Sequence, residues 1–238
     1  MKIFVLGVNS RLGPHVVRSC EEGHSLRLAD VTDVASDRHE TCRVDLSNPD
    51  DVIAAVEGMD AVVNCTVERQ DPRRAFDVNT RGCFNMMRAS VDAGVKRVIN
   101  TGPHFAIAGP SYETFDYAMV PDMPPHPGVG LYAHSKGAGQ EICRIFASQH
   151  DIHVLTLLFY NFRDHDDTER GNNHPFAVSW RDAGDAVRLA LEVEADRLYS
   201  RCEVFNVHAV PHAVFSNEKT LRVLGFNPRD DLGFAWRK

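Results

Sequence analysis

The sequence predicts an α/β chain built on a doubly wound parallel sheet with helices on both faces. Three observations carry this. Short apolar runs alternate along the chain with segments whose apolar residues fall three and four apart. The runs are apolar on successive residues, as in Ala61-Val-Val-Asn64, which is the pattern of strands covered on both sides. The first run, Ile3 to Leu6, leads directly into Gly7-Val-Asn-Ser-Arg-Leu-Gly13, a glycine-punctuated turn of the kind that feeds a helix.

In order, strands are expected at 3–6, 26–29, 43–44, 61–64, 97–100, 154–159 and 204–207, and helices at 13–22, 50–57, 77–93, 131–149, 183–194 and 216–224. Two regions break the alternation. The Pro- and Gly-rich stretch from Phe105 to Gly130, and the stretch from Arg163 to Pro175 with its Asp-His-Asp-Asp and Gly-Asn-Asn runs, are candidate substrate loops, since the crevice of such a sheet is lined by loops at the carboxyl ends of the strands. No internal repeat or linker divides the chain. A single domain over 1–238 is expected, with substrate-loop regions at about 103–130 and 160–182.

Composition narrows the function classes. A chain of 238 residues, 43% of them hydrophobic, can bury one good core and is short for two. A formal net charge of −7 with no long Lys/Arg run argues against a general nucleic-acid surface. The apolar stretch after Lys2 is too short for a signal segment and nothing approaches membrane-spanning length, so a cytoplasmic protein with small-molecule partners is expected. The six cysteines form no Cys-x-x-Cys pair, which suggests reduced thiols. Of twelve histidines, His208 and His212, or His150 and His153, have pair-like spacing without an obvious third ligand, and no metal is expected.

The opening turn has the chemistry of a dinucleotide site. Gly7 permits the tight turn, Gly13 lets the helix approach the sheet, and the helix N-terminus offers donors to a pyrophosphate. Between them lie Asn9, Ser10, Arg11 and Leu12; Ser10 stands where a middle glycine is usual, which restricts backbone approach but adds a hydroxyl. Seventeen residues after Gly13, Asp30 closes the second strand, followed by Val31. A carboxylate there accepts from ribose hydroxyls and repels a 2′-phosphate, which favours NAD over NADP. Arg27 and Arg38 are near enough in sequence to offset that charge. Asp45 and Leu46 after the third strand suit the edge and face of an adenine, with Ser47 or Asn48 capping the next helix.

Well downstream stands Tyr132-Ala-His-Ser-Lys136. On a helix the phenol and the ammonium lie one turn apart on one face, so the cation favours the ionised phenol and makes it a base.

With Gly7 to Gly13, Asp30, Asp45-Leu46, Asn79-x-x-Gly82-x-x-Asn85, Gly94-Val-Lys-Arg-Val98 and Tyr132-x-x-x-Lys136 in order, the chain resembles the extended short-chain dehydrogenases/reductases, the NAD-dependent epimerase/dehydratase group. Within it the chain looks most like uronate dehydrogenases, through Leu26-Arg-Leu-Ala-Asp-Val31, Val120-Pro-Asp-Met-Pro124 leading to Leu131-Tyr132, and Leu224-Gly-Phe-Asn-Pro-Arg-Asp230. The resemblance implies a Rossmann-type sheet with a small substrate lobe from C-terminal insertions, NAD as cofactor, a sugar or sugar acid as substrate and a homodimer built on the helices holding Asn85 to Ala93 and Ala138 to Ala147. It further implies that Tyr132 is the acid/base, that Lys136 binds the nicotinamide ribose, and that Cys65, Thr66, Val67 and Asn79 stand beside the cofactor.

Departures fall on the substrate side. Where the family ends its fifth strand in paired hydroxyl residues, this chain reads Asn100-Thr-Gly-Pro-His104, leaving Thr101 as the available hydroxyl. His104 matches the uronate dehydrogenase pattern, but Pro103 replaces a polar neighbour. Asn161 stands in the stretch where those enzymes carry an arginine, and Arg163 is the candidate replacement. Oxidation of a uronate to a lactone is the narrowest expectation; an epimerase or dehydratase that retains NAD, and a dinucleotide-binding sensor without chemistry, are its alternatives. Trp180-Arg-Asp182 is expected to return the chain to the sheet, with Asp182 capping the helix.

Overall fold

In the computed structural model, which describes residues 1–104, 120–123, 126–127, 130–166, 176–209 and 215–233, strand β1 (Lys2–Leu6) is the third strand of a seven-stranded sheet. To one side are β2 (Ser25–Asp30) and β3 (Glu40–Arg43). To the other are β4 (Ala61–Asn64), β5 (Arg97–Pro103), β6 (His153–Phe159) and β9 (Cys202–Asn206). The order is β3-β2-β1-β4-β5-β6-β9 and every neighbouring pair is parallel. The strand order reverses between β1 and β4, where a doubly wound sheet opens its ligand crevice. A separate parallel pair, β7 (Phe162–Arg163) and β8 (Val178–Ser179), frames one side of that crevice.

Strand β1 shows why its sequence is apolar throughout. Successive side chains point to opposite faces, and both faces are covered. Ile3 and Val5 pack with Val16 and Cys20 of α1 (Gly13–Cys20) and with Val187 and Ala190 of α6 (Trp180–Glu192). Phe4 and Leu6 enter the opposite cluster, with Val52 of α2 (Pro49–Val56), Met86 and Met87 of α4 (Gly82–Asp92) and Cys143 of α5 (Leu131–Gln149). Full burial of side chains of this size contributes about 1.5–3 kcal/mol each.

Several boundaries differ from expectation. The third strand comes earlier than 43–44, because the apolar Val44 lies just beyond it, buried, with its N–H bonded to the Asp30 carbonyl. The strand itself, Glu-Thr-Cys-Arg, is an edge with little burial and hence no apolar signature. Strand β5 runs on to Pro103 because β6 pairs with it as far as Phe159. The last strand starts at Cys202 and stops one residue before Val207, and the final helix, α7, is Glu218–Leu224.

The largest difference is in the helix expected over 77–93. A short α3 (Pro72–Ala75), capped by Asp71 accepting from the N–H groups of Arg73 and Arg74, leads into a π-helical turn, Phe76–Arg81, which then continues as α4. The wider turn carries Asn79 inward, to 1% exposure.

Helix α6 begins three residues before the expected 183 because Ser179 caps it, accepting from Asp182 N at 3.1 Å. The capping role expected of Asp182 is therefore corrected. Its carboxylate accepts from the backbone N–H groups of Arg229 (3.0 Å) and Asp230 (3.2 Å) and fastens the C-terminal segment to the helix.

Of the two expected substrate-loop regions, residues 105–119, 124–125, 128–129 and 167–175 lie outside the described residues, as does His212. Among the described residues, no helix is long and apolar enough to cross a membrane, and no group of three or more His, Cys, Asp or Glu side chains is placed to hold a metal ion.

Candidate active site

A cleft of about 710 Å³ opens at the carboxyl ends of β1, β4, β5 and β6. Its walls are the turn Ser10 to Leu12, the segment after β4 from Cys65 to Arg69, the end of β5, Tyr132 and Lys136 of α5, and an aromatic side from Phe159 to Phe162 closed by Trp180. The residues read from the sequence as a nucleotide turn and as an acid/base pair thus line one cavity.

The turn is tight for a steric reason. Gly7 has φ +78°, and a Cβ there would lie 2.7 Å from the backbone nitrogen of Thr66. A Cβ at Gly13 would lie 2.3 Å from the Val8 carbonyl oxygen. Ser10, in the place of a middle glycine, accepts from Gly13 N at 3.2 Å, so its hydroxyl satisfies one donor of the first turn. The α1 N-terminus otherwise has no side-chain cap at Leu12 and no acidic residue in its first turn, and exposed Arg11 lies on the cleft wall beside it. A helix N-terminus with a guanidinium beside it is suited to a pyrophosphate.

Asp30 ends β2 half-exposed. Its Oδ2 accepts from Asn9 N at 3.0 Å, and its Oδ1 accepts from the N–H and hydroxyl of Thr32, each at 3.2 Å. The Asn9 side chain donates to Thr32 Oγ1 and the Asp33 carbonyl, so Asn9 ties the turn to the chain after β2 and does not line the cleft. Val31 is 42% exposed at the same edge. Neither arginine that could have offset Asp30 faces it. Arg27 pairs with Glu40 at 2.9 Å and donates to the Ala55 and Glu57 carbonyls, while Arg38 pairs with Glu21 at 2.9 Å. Asp45 Oδ1 is occupied by Ser47 N–H and hydroxyl. Leu46 is buried in the α4-side core beneath Gly82, so it presents no face to an adenine, and Asn48 provides the cap of α2.

At the other end, Lys136 is 5% exposed and donates to the carbonyl oxygens of Thr66 (2.7 Å) and Thr101 (3.2 Å). Burial pushes its ammonium below the usual lysine value, as desolvation of a cation does. The cation that holds the Tyr132 phenol is Arg69. Its guanidinium lies 5.3 Å from the ring centroid. Burial raises the Tyr132 phenol above its ordinary value, and the charge and hydrogen bond of Arg69 oppose that rise. The expected electrostatic pairing of Tyr132 with Lys136 is corrected accordingly: Lys136 holds the backbone of β5 and of the segment after β4, and the cation facing the Tyr132 ring is Arg69.

Thr101 lines the cleft, but its hydroxyl donates to the Asn64 carbonyl at 2.7 Å, which leaves acceptor lone pairs towards a ligand. Thr66 is held by Asn64 Oδ1, which accepts its N–H at 3.1 Å and its hydroxyl at 2.6 Å. The buried Cys65 thiol is pushed up to about 12 by desolvation, which makes it an inert group in the cleft wall. Val67 is exposed at the lip. Asn79 stands behind the wall, donating to the Glu68 carbonyl (2.9 Å) and Ser135 Oγ (3.0 Å) and accepting from Glu68 N (3.3 Å). It positions the segment that carries Arg69.

His104 is 1% exposed behind the cleft, its ring against Tyr160, Phe176 and Phe215. Asn161 lies on the cleft wall with φ +42°, and its buried Nδ2 has no hydrogen-bond partner among the described residues. A non-glycine residue held in that conformation with an orphaned donor marks a site suited to a ligand acceptor. Arg163 is buried on β7 and outside the cleft lining.

Sequence reasoning missed Arg69 and also Phe162, the ring on which Trp180 stacks with centroids 4.1 Å apart. Arg69 sits in a polar run, Glu-Arg-Gln-Asp, with no periodic or motif signal. Its position just past the carboxyl end of a strand next to the reversal was the available clue.

Comparison with known proteins agrees with this architecture. A curated relative named NAD-dependent glucose-6-phosphate dehydrogenase, from Haloferax volcanii, is 25% identical over 256 residues, covering 96% of this chain and 93% of the relative. The uronate dehydrogenase of Pseudomonas syringae pv. tomato is 30% identical over 141 residues, 56% of this chain and 49% of that one. The crystal structure of uronate dehydrogenase from Agrobacterium tumefaciens superposes with a TM-score of 0.79 at 21% identity, over 96% of this chain and 84% of that one; a mutant of that enzyme was solved complexed with NAD. Residues 3–174 match the model of the NAD dependent epimerase/dehydratase family. With most of its length in that match and its sheet, turn and cleft arranged as described, the chain belongs to the NAD dependent epimerase/dehydratase family.

Proposed function

We propose that this protein is an NAD-dependent oxidoreductase acting on a hydroxyl of a sugar or sugar acid, with Tyr132 as its acid/base. The observation that carries the reading is that Tyr132 and Lys136 line the same cleft as the turn Ser10 to Leu12. NAD, when bound, supplies the hydride acceptor. Arg11 and the α1 N-terminus hold its pyrophosphate, and Asp30 accepts from the adenosine ribose and disfavours a 2′-phosphate. Lys136, steadied by the Thr66 and Thr101 carbonyls, offers its remaining donor to the nicotinamide ribose. Tyr132 takes the proton of the substrate hydroxyl, and Arg69 stabilises the phenolate this requires. Asn161 Nδ2 is the donor for a further sugar oxygen, and Trp180 with Phe162 gives the apolar wall on which a sugar ring packs.

Uronate oxidation to a lactone is the specific activity favoured, supported by the two dehydrogenase relatives of acidic sugars. The reading without chemistry draws on one observation, the donation of the Thr101 hydroxyl to Asn64. Exposed Phe84 and Ile145 on α4 and α5 support a homodimer through those helices, which size-exclusion chromatography with light scattering tests. The deciding assay follows NAD reduction by absorbance with uronic acids, sugar phosphates and neutral sugars, beside Tyr132→Phe. Reduction that requires Tyr132 is expected; NAD binding without reduction by any sugar would overturn the dehydrogenase reading in favour of a retained-cofactor epimerase or a sensor.

A further inference from the structure

The protein carries a formal net charge of −7, yet the described lining of its cleft includes three cations, Arg11, Arg69 and Lys136, and no carboxylate. Two of the three have roles already. Lys136 is bound to two backbone carbonyls, and Arg11 sits at the α1 N-terminus with the pyrophosphate donors. Arg69 stands beside Tyr132. Among the described residues no carboxylate pairs with it. Neighbouring Glu68 is turned away, its Oε1 accepting from Gln70 N at 2.8 Å and its Oε2 lying 3.8 Å from Arg74. The backbone beneath is fixed by the Asn79 bonds to Glu68, so the Arg69 guanidinium rises from a fixed base at the place where substrate must lie to reach Tyr132.

We infer that Arg69 is the receptor for an oxyanion on the substrate, so that the cleft selects acidic sugars over neutral ones. The inference rests on the oxidoreductase reading above and names its substrate class. A planar fork of donors matches two oxygens of one anion, and the ring of Tyr132 holds the fork in the cleft until an anion arrives. A carboxylate on the sugar and a phosphate ester share this chemistry.

The test compares glucuronate and glucose 6-phosphate, each against glucose, in wild type, Arg69→Gln and Arg69→Lys. In wild type the acidic sugars are expected to have the higher kcat/KM. Arg69→Gln should lower the ratio of acidic to neutral kcat/KM by about 10- to 100-fold, as loss of a charge-assisted bond does, chiefly through KM, and Arg69→Lys should restore part of it. The acid that loses more on substitution identifies which oxyanion the site takes. Equal kcat/KM for glucose and both acids, or an unchanged ratio in Arg69→Gln, would overturn the Arg69 inference and leave the oxidoreductase reading standing. If no sugar reduces NAD, that reading falls and calorimetry decides the inference alone. Binding of either acid to the NAD-loaded wild type, weakened about tenfold or more in Arg69→Gln, upholds it; absent or unaltered binding overturns it.

Discussion

The hydroxyl of Thr101 donates to the carbonyl of Asn64 at 2.7 Å, which joins β5 to β4 and takes the one hydroxyl proton at the end of β5 away from the cleft. The next position, Gly102, is on the cleft wall, and a Cβ there would meet only Leu158 Cδ2, at 3.2 Å.

A Gly102→Ser substitution should therefore place a donor where Thr101 does not. Leu158 must shift by a few tenths of an ångström, which a leucine end can do. The expected result is a rise in kcat on the order of 10-fold to 100-fold, since one donor to a developing alkoxide is worth about that much or more. Steady-state kinetics on the best substrate would show it, and an unchanged or reduced kcat with intact NAD binding would mean that this hydroxyl is not what limits the reaction.

The phenol of Tyr132 offers a pH test. Burial raises it and Arg69 opposes the rise, so without cofactor its phenolate should appear above the ordinary tyrosine value of about 10. In Arg69→Gln it should appear later still. The difference in phenolate absorbance between wild type and Tyr132→Phe isolates this group from the other tyrosines. Because the folded-state value lies above the unfolded one, the associated stability is present below the unfolded value and is lost as pH rises through the folded one. Titration at or below the ordinary value in the free protein would contradict this account.

Asn79→Ala removes three bonds that join the π-helical turn to Glu68 and Ser135. A loss of about 1–3 kcal/mol is expected from the buried groups left unpaired, read as a lower urea midpoint with unchanged slope. Since Arg69 rides on the same segment, KM should rise as well. A stable variant with unaltered KM would show that the segment holds its place without Asn79.

Cofactor choice is expected to follow the charge of Asp30. Asp30→Asn keeps the acceptor to Asn9 N and removes the repulsion of a 2′-phosphate, so the preference for NAD over NADP should fall by about 10-fold to 100-fold. Calorimetric titration of each dinucleotide measures it, and a preference that survives would place discrimination elsewhere.

How much of this was legible in the sequence follows from where each signal resides. Gly7, Gly13, Tyr132 and Lys136 were readable because spacing along one strand, turn or helix is local. The parallel sheet was readable because strands such as Ala61-Val-Val-Asn64 must be apolar on both faces. Edge strand β3 was misplaced because its residues are exposed. The partner of Tyr132 was misassigned because helical spacing gives proximity along α5, whereas the ammonium of Lys136 is drawn to carbonyls of Thr66 and Thr101, and the guanidinium over the ring arrives from sixty-odd residues upstream. The anion-seeking character of the cleft was hidden by an acidic total, since charge summed over a chain says nothing of which charges share a wall.

The turn at Phe76–Arg81 has one more consequence. A π turn holds an extra residue relative to the surrounding helix, and this one joins buried Ala75 and Asn79 to buried Asn85 and Met86. Deleting a single residue from it would rotate α3 by about 100° against α4. Either the Asn79 contacts or the methionines against the sheet would then face water, so this stretch has a length that neither insertion nor deletion can change by one without losing the site or the core.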